Sequence, residues 1–274
     1  MRIGTKEFDT EKHCYVMGIL NVTPDSFSDG GKFDSLSAAL FHAEEMVRQG
    51  AAILDVGGES TRPGHIQITE EEEIERVTPV IEQLKKRFDV PISIDTYKSK
   101  VAEAALRAGA DLVNDIWGLK YDEKMAEVIA RYQAACCLMQ NRTTAVYDHY
   151  VEDLLEDLRE SVRLAKTAGI SEDRIMLDPG VGFGKTYEMN LEIIRVVGRL
   201  RELGYPVLLG TSRKSVIGLT LDLPVEQREE GTLVTTVLGV EQGCSFVRVH
   251  DVEANVRAIR MTEAILREHN LELS

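Results

Sequence analysis

The chain has 274 residues, of which 43% are hydrophobic, and its formal net charge is −14 at pH 7. This length suits one large α/β barrel. The acidic balance argues against a general nucleic-acid or anionic-membrane binder, because those partners need basic surfaces. No apolar run approaches the roughly 20 residues of a membrane span, and the first residues lack the apolar core of a secretory signal. The four cysteines show no metal-ligand spacing and predict reduced packing residues in a cytoplasmic protein.

Eight short, apolar, β-branched-rich runs predict strands that are buried on both faces. They are residues 15–21, 51–58, 91–96, 111–116, 135–140, 175–180, 206–212 and 245–251. Helical periodicity fills the intervals at residues 36–49, 70–88, 98–108, 122–133, 151–168, 188–203, 228–242 and 252–268. The alternation predicts a closed (β/α)₈ TIM barrel, with an open doubly wound sheet as the alternative. Residues 1–274 are expected to form a single domain, with residues 1–14 as a short extension that forms a hairpin over the barrel bottom.

Every predicted strand ends in at least one polar side chain. These side chains are Asn21, Asp55, Glu59, Asp95, Asn114, Asp115, Gln140, Asn141, Asp178, Ser212, Arg213, Lys214, Arg248 and His250. A single Asp after a strand is often only the N-cap of the next helix. Polar residues at all eight strand ends favour a shared pocket, because those ends meet at one rim of a barrel.

The side chains at three strand ends match a flat heterocycle that is rich in N–H groups. Asp95, Asn114 and Asp178 supply carboxylates and an amide, and a carboxylate pairs in bidentate fashion with a guanidine-like ring edge. Lys214 adds a donor for a ring carbonyl or nitrogen, although Arg213 and Lys214 can also be a solvated helix start. The sequence therefore favours a ligand such as an aminopyrimidinone.

A second group of residues is cationic and suits phosphate. It consists of Arg62, Arg248 and His250. Asn21, together with a phosphate oxygen, can hold a Mg²⁺ ion that keeps most of its waters. The sequence contains no HExxH motif, no Cys/His cluster and no GxSxG motif, and Ser212 has no evident base beside it.

Two long loops, residues 22–34 and 57–69, are rich in glycine, proline and hydroxyl residues. Such loops are typical of lids over a barrel mouth, and two simple exposed loops are the alternative. Phe27 favours the lid, because an apolar ring on a polar loop is expected to close over a ligand. A third loop, residues 178–188, alternates glycines around Phe183.

The chain resembles the dihydropteroate synthase family over essentially its whole length. The resemblance rests on GILNVTPDSFSDGG and DVGGESTRPG, followed in the family's order by SIDT, VNDI, LDPGVGFGKT, GTSRKSVIG and VRVHDV. Gln140 departs from the pattern, since members often carry His there. Residues 140–150 also lack a Gly/Pro pattern of some members, and a variable surface loop is expected.

The resemblance implies a transferase that joins 6-hydroxymethyl-7,8-dihydropterin diphosphate to p-aminobenzoate by a dissociative, SN1-like substitution, and 7,8-dihydropteroate and diphosphate are its products. Catalytic roles are implied for Asp95, Lys214 and Asp178. The implied pterin residues are Asp95, Asn114, Met139, Asp178, Lys214 and Arg248. The implied diphosphate residues are Asn21, Thr61, Arg62, Arg248 and His250, with Mg²⁺ at Asn21. The p-aminobenzoate pocket, where sulfonamides compete, is implied at Phe27, Pro63, Phe183, Lys214 and Ser215.

The resemblance also implies a cytoplasmic homodimer that binds small substrates and neither nucleic acid nor membrane. Two alternatives stay open. A pterin-dependent methyltransferase would share Asp95, Asn114 and Asp178 but would need neither the long loops nor the diphosphate residues. A non-catalytic pterin-binding paralogue predicts damage to a motif or a key residue, and the sequence shows none.

Overall fold

Within the residues that the computed structural model describes, 1–22, 32–59 and 67–266 (with side chains for all but 32–35), eight parallel strands form one sheet. They are β3 Tyr15–Asn21, β4 Ile53–Gly57, β5 Ile92–Asp95, β6 Leu112–Asp115, β7 Ala135–Met139, β8 Ile175–Asp178, β9 Leu208–Leu209 and β10 Phe246–Val249. The spatial order is β8-β7-β6-β5-β4-β3-β10-β9. A parallel bridge between Leu177 and Val207 joins the two ends of this series. The predicted TIM barrel is confirmed, and the open sheet is excluded.

Helices follow the strands and cover the outside of the barrel. They are α1 Lys32–Gln49, α2 Glu70–Arg87, α3 Ser99–Ala108, α4 Met125–Arg131, α5 Tyr150–Thr167, α6 Tyr187–Arg195, α7 Ser215–Leu221, α8 Glu229–Glu241 and α9 Val252–Leu266. Outward-facing strand residues pack against them in the main apolar core. The adjacent cysteines of β7 illustrate the alternation, since Cys136 lies in this outer core and Cys137 lies inside the barrel.

The N-terminal extension closes the bottom of the barrel. β1 (Arg2–Ile3) and β2 (Lys6–Glu7) pair in antiparallel fashion, as the sequence predicted. Ile3 and Phe8 are buried against the lowest inward-facing residues of the strands. Those residues are Met17, Ile53, Leu112, Ala135, Cys137, Met176, Leu208 and Phe246. This end of the barrel is therefore an apolar plug.

The helical prediction differs from the structure in three places. Helix α1 begins at Lys32, four residues before its predicted start and inside the predicted loop 22–34. The predicted helix 188–203 ends at Arg195 and continues as a 3₁₀ helix over Val197–Leu203, because Val196, Val197 and Gly198 have low helix propensity. Helix α7 was raised only as the alternative of a helix start at Arg213 and Lys214; it is short, and five residues separate it from a strand of two residues. In the described ranges, no helix is both long and apolar enough to cross a bilayer.

Candidate active site

Inward-facing side chains change from apolar to polar along the strands. On β6, Leu112 is followed two residues later by Asn114, and on β8, Met176 is followed by Asp178. Alternate residues of a strand face the same side, so each pair lines the barrel interior at two levels. Ile53 with Asp55 on β4 and Phe246 with Arg248 on β10 repeat this pattern. A polar layer therefore lies directly above the apolar plug.

Arg248 joins two carboxylates within the polar layer. Its Nε donates to Asp55 Oδ2 at 2.6 Å, and its Nη2 donates to Asp95 Oδ2 at 2.7 Å. The Asn114 amide nitrogen donates to Asp95 Oδ1 at 3.5 Å. Asp55 Oδ1 is buried and has no hydrogen-bond partner among the described residues. Two buried carboxylates thus share one guanidinium, which leaves acceptor capacity for a ligand that donates N–H groups.

Burial controls the proton equilibria of this group. Burial raises the pKa of Asp95 to about 7; the Arg248 guanidinium opposes this rise, and the Asp55 carboxylate adds to it. The pKa of Arg248 is raised, because Asp55 and Asp95 outweigh the effect of burial on the cation. Arg248 therefore stays charged, and its guanidinium favours the ionised form of Asp95. A positively polarised ring edge beside Asp95 would favour its ionised form.

Asp178 and Lys214 meet above a glycine at the same rim. Asp178 Oδ1 accepts the N–H of Gly180 at 2.7 Å, and Lys214 Nζ donates to the carbonyl of Val181. A Cβ on Gly210 would lie 3.6 Å from Asp178 Oδ2 and 3.9 Å from Lys214 Nζ. Burial raises the pKa of Asp178, opposed by Lys214, and burial lowers the pKa of Lys214 to about 8, opposed by Asp178.

The backbone of the β9–α7 connection directs Lys214 into the mouth of the barrel. Arg213 has a left-handed backbone with φ of 56°, and its Nε donates to Asp251 Oδ2 at 3.0 Å. Lys214 is the N-cap residue of α7, so the predicted helix start is real, but its side chain reaches Val181. Ser215, the first residue of α7, is exposed.

An apolar wall stands beside the ionic groups. Met139, at 4% exposure, clusters with Tyr97 and Ile116, and Trp117 and Phe183 pack against them. The Phe183 ring centroid lies 4.8 Å from Lys214 Nζ. An apolar wall next to carboxylates, an amide and an amine suits a flat ring that has one polar edge.

Asn21 and His250 lie at the ends of neighbouring strands. Asn21 is exposed, and its Oδ1 would lie 3.3 Å from a Cβ on Gly57, the residue that pairs with it on β4. His250 Nδ1 lies 2.9 Å from Ser212 Oγ, which also accepts the backbone N–H of His250 at 3.2 Å. Ser212 therefore has an imidazole beside it, which sequence analysis missed because the two residues are 38 positions apart. The pair fixes the orientation of the His250 ring.

Four predicted site residues lie outside the described residues. They are Phe27, Thr61, Arg62 and Pro63. Glu59 and Ile68, which flank residues 60–67, are held together, because the N–H of Ile68 donates to Glu59 Oε2 at 3.1 Å. Lys98 Nζ strengthens this junction by bonding Glu59 Oε2 at 2.6 Å and the carbonyl of Ile68 at 2.8 Å.

Two polar strand-end residues turn away from the mouth. Asp115 accepts the backbone N–H groups of Trp117 at 2.9 Å and Leu119 at 2.7 Å, so it shapes the turn after β6. Gln140 is buried against Lys185 and Asp157. Polar residue type alone did not distinguish these supporting roles from ligand-facing ones.

Comparison with known proteins decides the family. The model of the pterin binding enzyme family matches residues 17–250. The dihydropteroate synthase of Clostridium beijerinckii is 59% identical over 268 residues, which are 97% of this chain and 100% of that protein. The chain belongs to the dihydropteroate synthases of this pterin-binding family. It is a transferase, as the motifs predicted, and neither the methyltransferase nor the non-catalytic alternative is needed.

Solved dihydropteroate synthase structures have the same fold. The enzyme from Clostridium difficile, solved in the presence of pteroic acid, superposes with a TM-score of 0.93 at 54% identity and covers 96% of this chain and 100% of its own. The enzyme from Xanthomonas albilineans, solved with 4-aminobenzoic acid, superposes with a TM-score of 0.89 at 41% identity and covers 94% of each chain.

Proposed function

We propose that the polar layer binds 6-hydroxymethyl-7,8-dihydropterin diphosphate and that p-aminobenzoate attacks it at the same rim. The observation that carries this proposal is the convergence of Asp95, Asn114, Asp178 and Lys214 above the apolar plug. The related enzymes solved with pteroic acid and with 4-aminobenzoic acid support both ligand classes.

The pterin ring is proposed to lie between Met139 and Arg248. Asp178 accepts from the guanidine-like edge of the ring, while Asp95 and Asn114 bind the remaining polar atoms. Lys214 donates to a ring carbonyl or nitrogen. Asp178 is suited to this role, because it is buried and one oxygen is already oriented by the N–H of Gly180.

The diphosphate is proposed to lie at Asn21, Thr61, Arg62, Arg248 and His250. Among the described residues, no group of three or more His, Cys, Asp or Glu side chains can hold a metal ion. The single amide oxygen of Asn21 fits a Mg²⁺ ion that keeps most of its waters and takes diphosphate oxygens as further ligands. When bound, Mg²⁺ would neutralise charge on the leaving group.

The substitution is proposed to be dissociative. The methylene C–O bond breaks, and its electron pair leaves on the diphosphate oxygen. Asp95, in its ionised form, stabilises the positive charge on the pterin. The arylamine nitrogen then forms the C–N bond and releases a proton to solvent or to diphosphate. Phe183, Lys214 and Ser215, together with Phe27 and Pro63, are proposed to hold p-aminobenzoate, so sulfonamides would compete there.

A homodimer is proposed on the surface formed by α7, α8 and α9. The inward side of α8 carries Thr232, Thr235 and Thr236, whereas Val234 and Leu238 are exposed. This inverted pattern is typical of a helix that is covered on its outer side. Leu219, Leu221, Met261, Ile265 and Leu266 extend the exposed apolar surface.

A Val234→Lys variant is expected to sediment as a monomer; a dimer of unchanged stability would contradict this interface.

A single-domain organisation and a cytoplasmic location complete the proposal. The four cysteines are free thiols in the structure, and three of them are buried as packing residues. Neither nucleic acid nor membrane is proposed as a partner, since the net charge of −14 disfavours both.

Product formation tests the proposed function. Purified protein is incubated with Mg²⁺ and pterin diphosphate, with and without p-aminobenzoate, and diphosphate and dihydropteroate are quantified. Equal amounts of the two products, dependent on p-aminobenzoate, are expected. Tight pterin binding without product would contradict the proposed reaction.

A further inference from the structure

Lys185, which lies outside the proposed substrate contacts, is half-buried, and three oxygens hold its amine. Its Nζ donates to Gln140 Oε1 at 2.5 Å, to the carbonyl of Phe183 at 2.9 Å and to the carbonyl of Gln140 at 3.5 Å. None of the ion pairs in the described part of the chain includes this amine. Burial lowers the pKa of Lys185 to about 7; Asp178 opposes this effect and Lys214 adds to it. Neutral oxygens, rather than a carboxylate, therefore fix the amine.

Gln140 is itself locked in one orientation. Its Nε2 donates to Asp157 Oδ2 at 2.8 Å and to the Tyr147 hydroxyl at 3.2 Å. Because a carboxylate only accepts, the amide nitrogen faces Asp157 and the amide oxygen faces Lys185. Arg142 holds Asp157 through two further bonds at 2.7 and 3.0 Å. The direction of the contact from Gln140 to Lys185 is thus set by the charge of Asp157.

The segment that Lys185 holds is pressed against the end of β7. Gly180 and Gly184 have positive φ values of 70° and 53°. A Cβ on Gly180 would lie 1.9 Å from the Gln140 carbonyl oxygen, and one on Gly184 would lie 2.2 Å from the Arg142 carbonyl oxygen. Only glycine permits this close approach at positions 180 and 184, and the amine of Lys185 holds the segment there through the carbonyls of Phe183 and Gln140.

The same segment holds two groups of the proposed active site. The Val181 carbonyl accepts from Lys214 Nζ, and the Phe183 ring faces Lys214 Nζ at 4.8 Å. Phe183 is held directly, since its own carbonyl accepts from Lys185. Lys214 is held less directly, because its acceptor is the carbonyl of Val181, two positions before Phe183. A loss of the Lys185 contacts would therefore displace Phe183 more than Lys214.

We infer that Lys185, oriented by Gln140, is a positioning residue that sets the affinity of the active site for p-aminobenzoate through Phe183 and, more weakly, for the pterin through Lys214. This inference rests on the proposed function. The side chain of Lys185 contacts neither substrate; it acts on the backbone that presents Phe183 and on the acceptor of Lys214.

The test compares KM with kcat in single and double variants. In Lys185→Met, the KM for p-aminobenzoate is expected to rise about tenfold and the KM for pterin diphosphate about threefold, with kcat within about threefold of the parent value. Gln140→Leu should reproduce this pattern. The double variant should be no worse than the worse single variant, because both changes break the same contact.

Two further variants separate positioning from general stability. Gln140→His keeps one ring nitrogen to accept and one to donate, so it should retain the KM of the parent. Lys120→Met removes another lysine of the same neighbourhood, whose Nζ donates to the Asp157 carbonyl at 2.8 Å but does not contact residues 180–185. This control should leave both KM values unchanged. Thermal unfolding of each variant is followed by circular dichroism.

Parent KM values in Lys185→Met, or fully additive effects in the double variant, would overturn the positioning role. A lower unfolding temperature with unchanged KM values would show a purely structural role and would also overturn it. The parent protein serves as the reference for activity itself. If the parent forms no dihydropteroate, the proposed function fails, and that outcome is separate from a failure of Lys185 to influence KM.

Discussion

The two ends of the barrel are built from the same strands and have opposite chemistry. At the bottom, Ile3 and Phe8 of the hairpin complete an apolar layer. Two residues further along β4 and β10, Asp55 and Arg248 form a buried ion-pair network with Asp95 of β5. The apolar layer stabilises through burial, about 25 cal/mol per Å². The charged layer carries a desolvation cost that only close pairing or a ligand offsets. The comparison indicates that the bottom layer contributes to stability and the top layer to binding.

The largest expected effect is that of Asp95→Asn on turnover. The variant keeps the shape of the side chain but removes the charge proposed to stabilise the pterin cation, so kcat should fall about 100-fold or more. Asp115→Asn is the matched control, since Asp115 ends the neighbouring strand but bonds Trp117 and Leu119. Steady-state kinetics of both variants check this. Near-parent turnover in Asp95→Asn would remove its electrostatic role.

At the opposite end, Phe8→Ala should lower the free energy of unfolding by about 3 kcal/mol. Phe8 is 8% exposed, and its ring packs edge-on against Tyr15 at 4.9 Å and Phe246 at 5.6 Å between centroids. The kcat of the variant should stay at the parent value. Urea unfolding with parallel kinetics measures both quantities. A large loss of kcat without a loss of stability would break the division between the two ends.

The pH dependence of the free energy of unfolding tests the contribution of Lys185 at the upper end of the barrel. Lys185 has a pKa of about 7 in the folded chain, against an ordinary value of 10.5. Between these pH values the unfolded state binds more protons than the folded state, so the free energy of unfolding rises with pH. One such amine contributes at most about 1.4 kcal/mol per pH unit. Urea unfolding of the parent should therefore show a steeper rise from pH 7.5 to 9.5 than that of Lys185→Met. Parallel curves would contradict the depressed pKa.

The smallest effect concerns a residue near the mouth that faces away from it. Thr69 caps α2 by accepting the N–H of Glu72 at 3.1 Å. Thr69→Ala should lower the free energy of unfolding by about 1 kcal/mol and leave kcat unchanged. Thermal unfolding and initial rates provide the two readings. A clear loss of kcat would mean that location at the upper end, rather than contact with the polar layer, governs activity.

Sequence patterns predicted the barrel because buried strands and amphipathic helices alternate with clear periods. The inward positions of Asp95, Asn114 and Asp178 were also predictable, since each follows an apolar run at a strand end. The pairings between polar side chains of different strands were not predictable. Asp55 pairs with Arg248 across 193 positions, because the last strand, β10, pairs with β3 beside β4. Ser212 pairs with His250 across 38 positions, because β9 and β10 are neighbours in the sheet. Lys185 was missed because glycine-rich loops carry no periodicity that shows the direction of a side chain.

Pterin binding tests the central claim most directly. Isothermal titration calorimetry with 6-hydroxymethyl-7,8-dihydropterin, which lacks the diphosphate, isolates the contribution of the polar layer. Asp178→Asn should weaken this binding at least about tenfold, since it removes a charge-assisted bidentate contact. The Phe8→Ala protein, altered at the other end, should bind as the parent does. Equal affinity of Asp178→Asn and the parent would contradict the assignment of the pterin site to the upper end of the barrel.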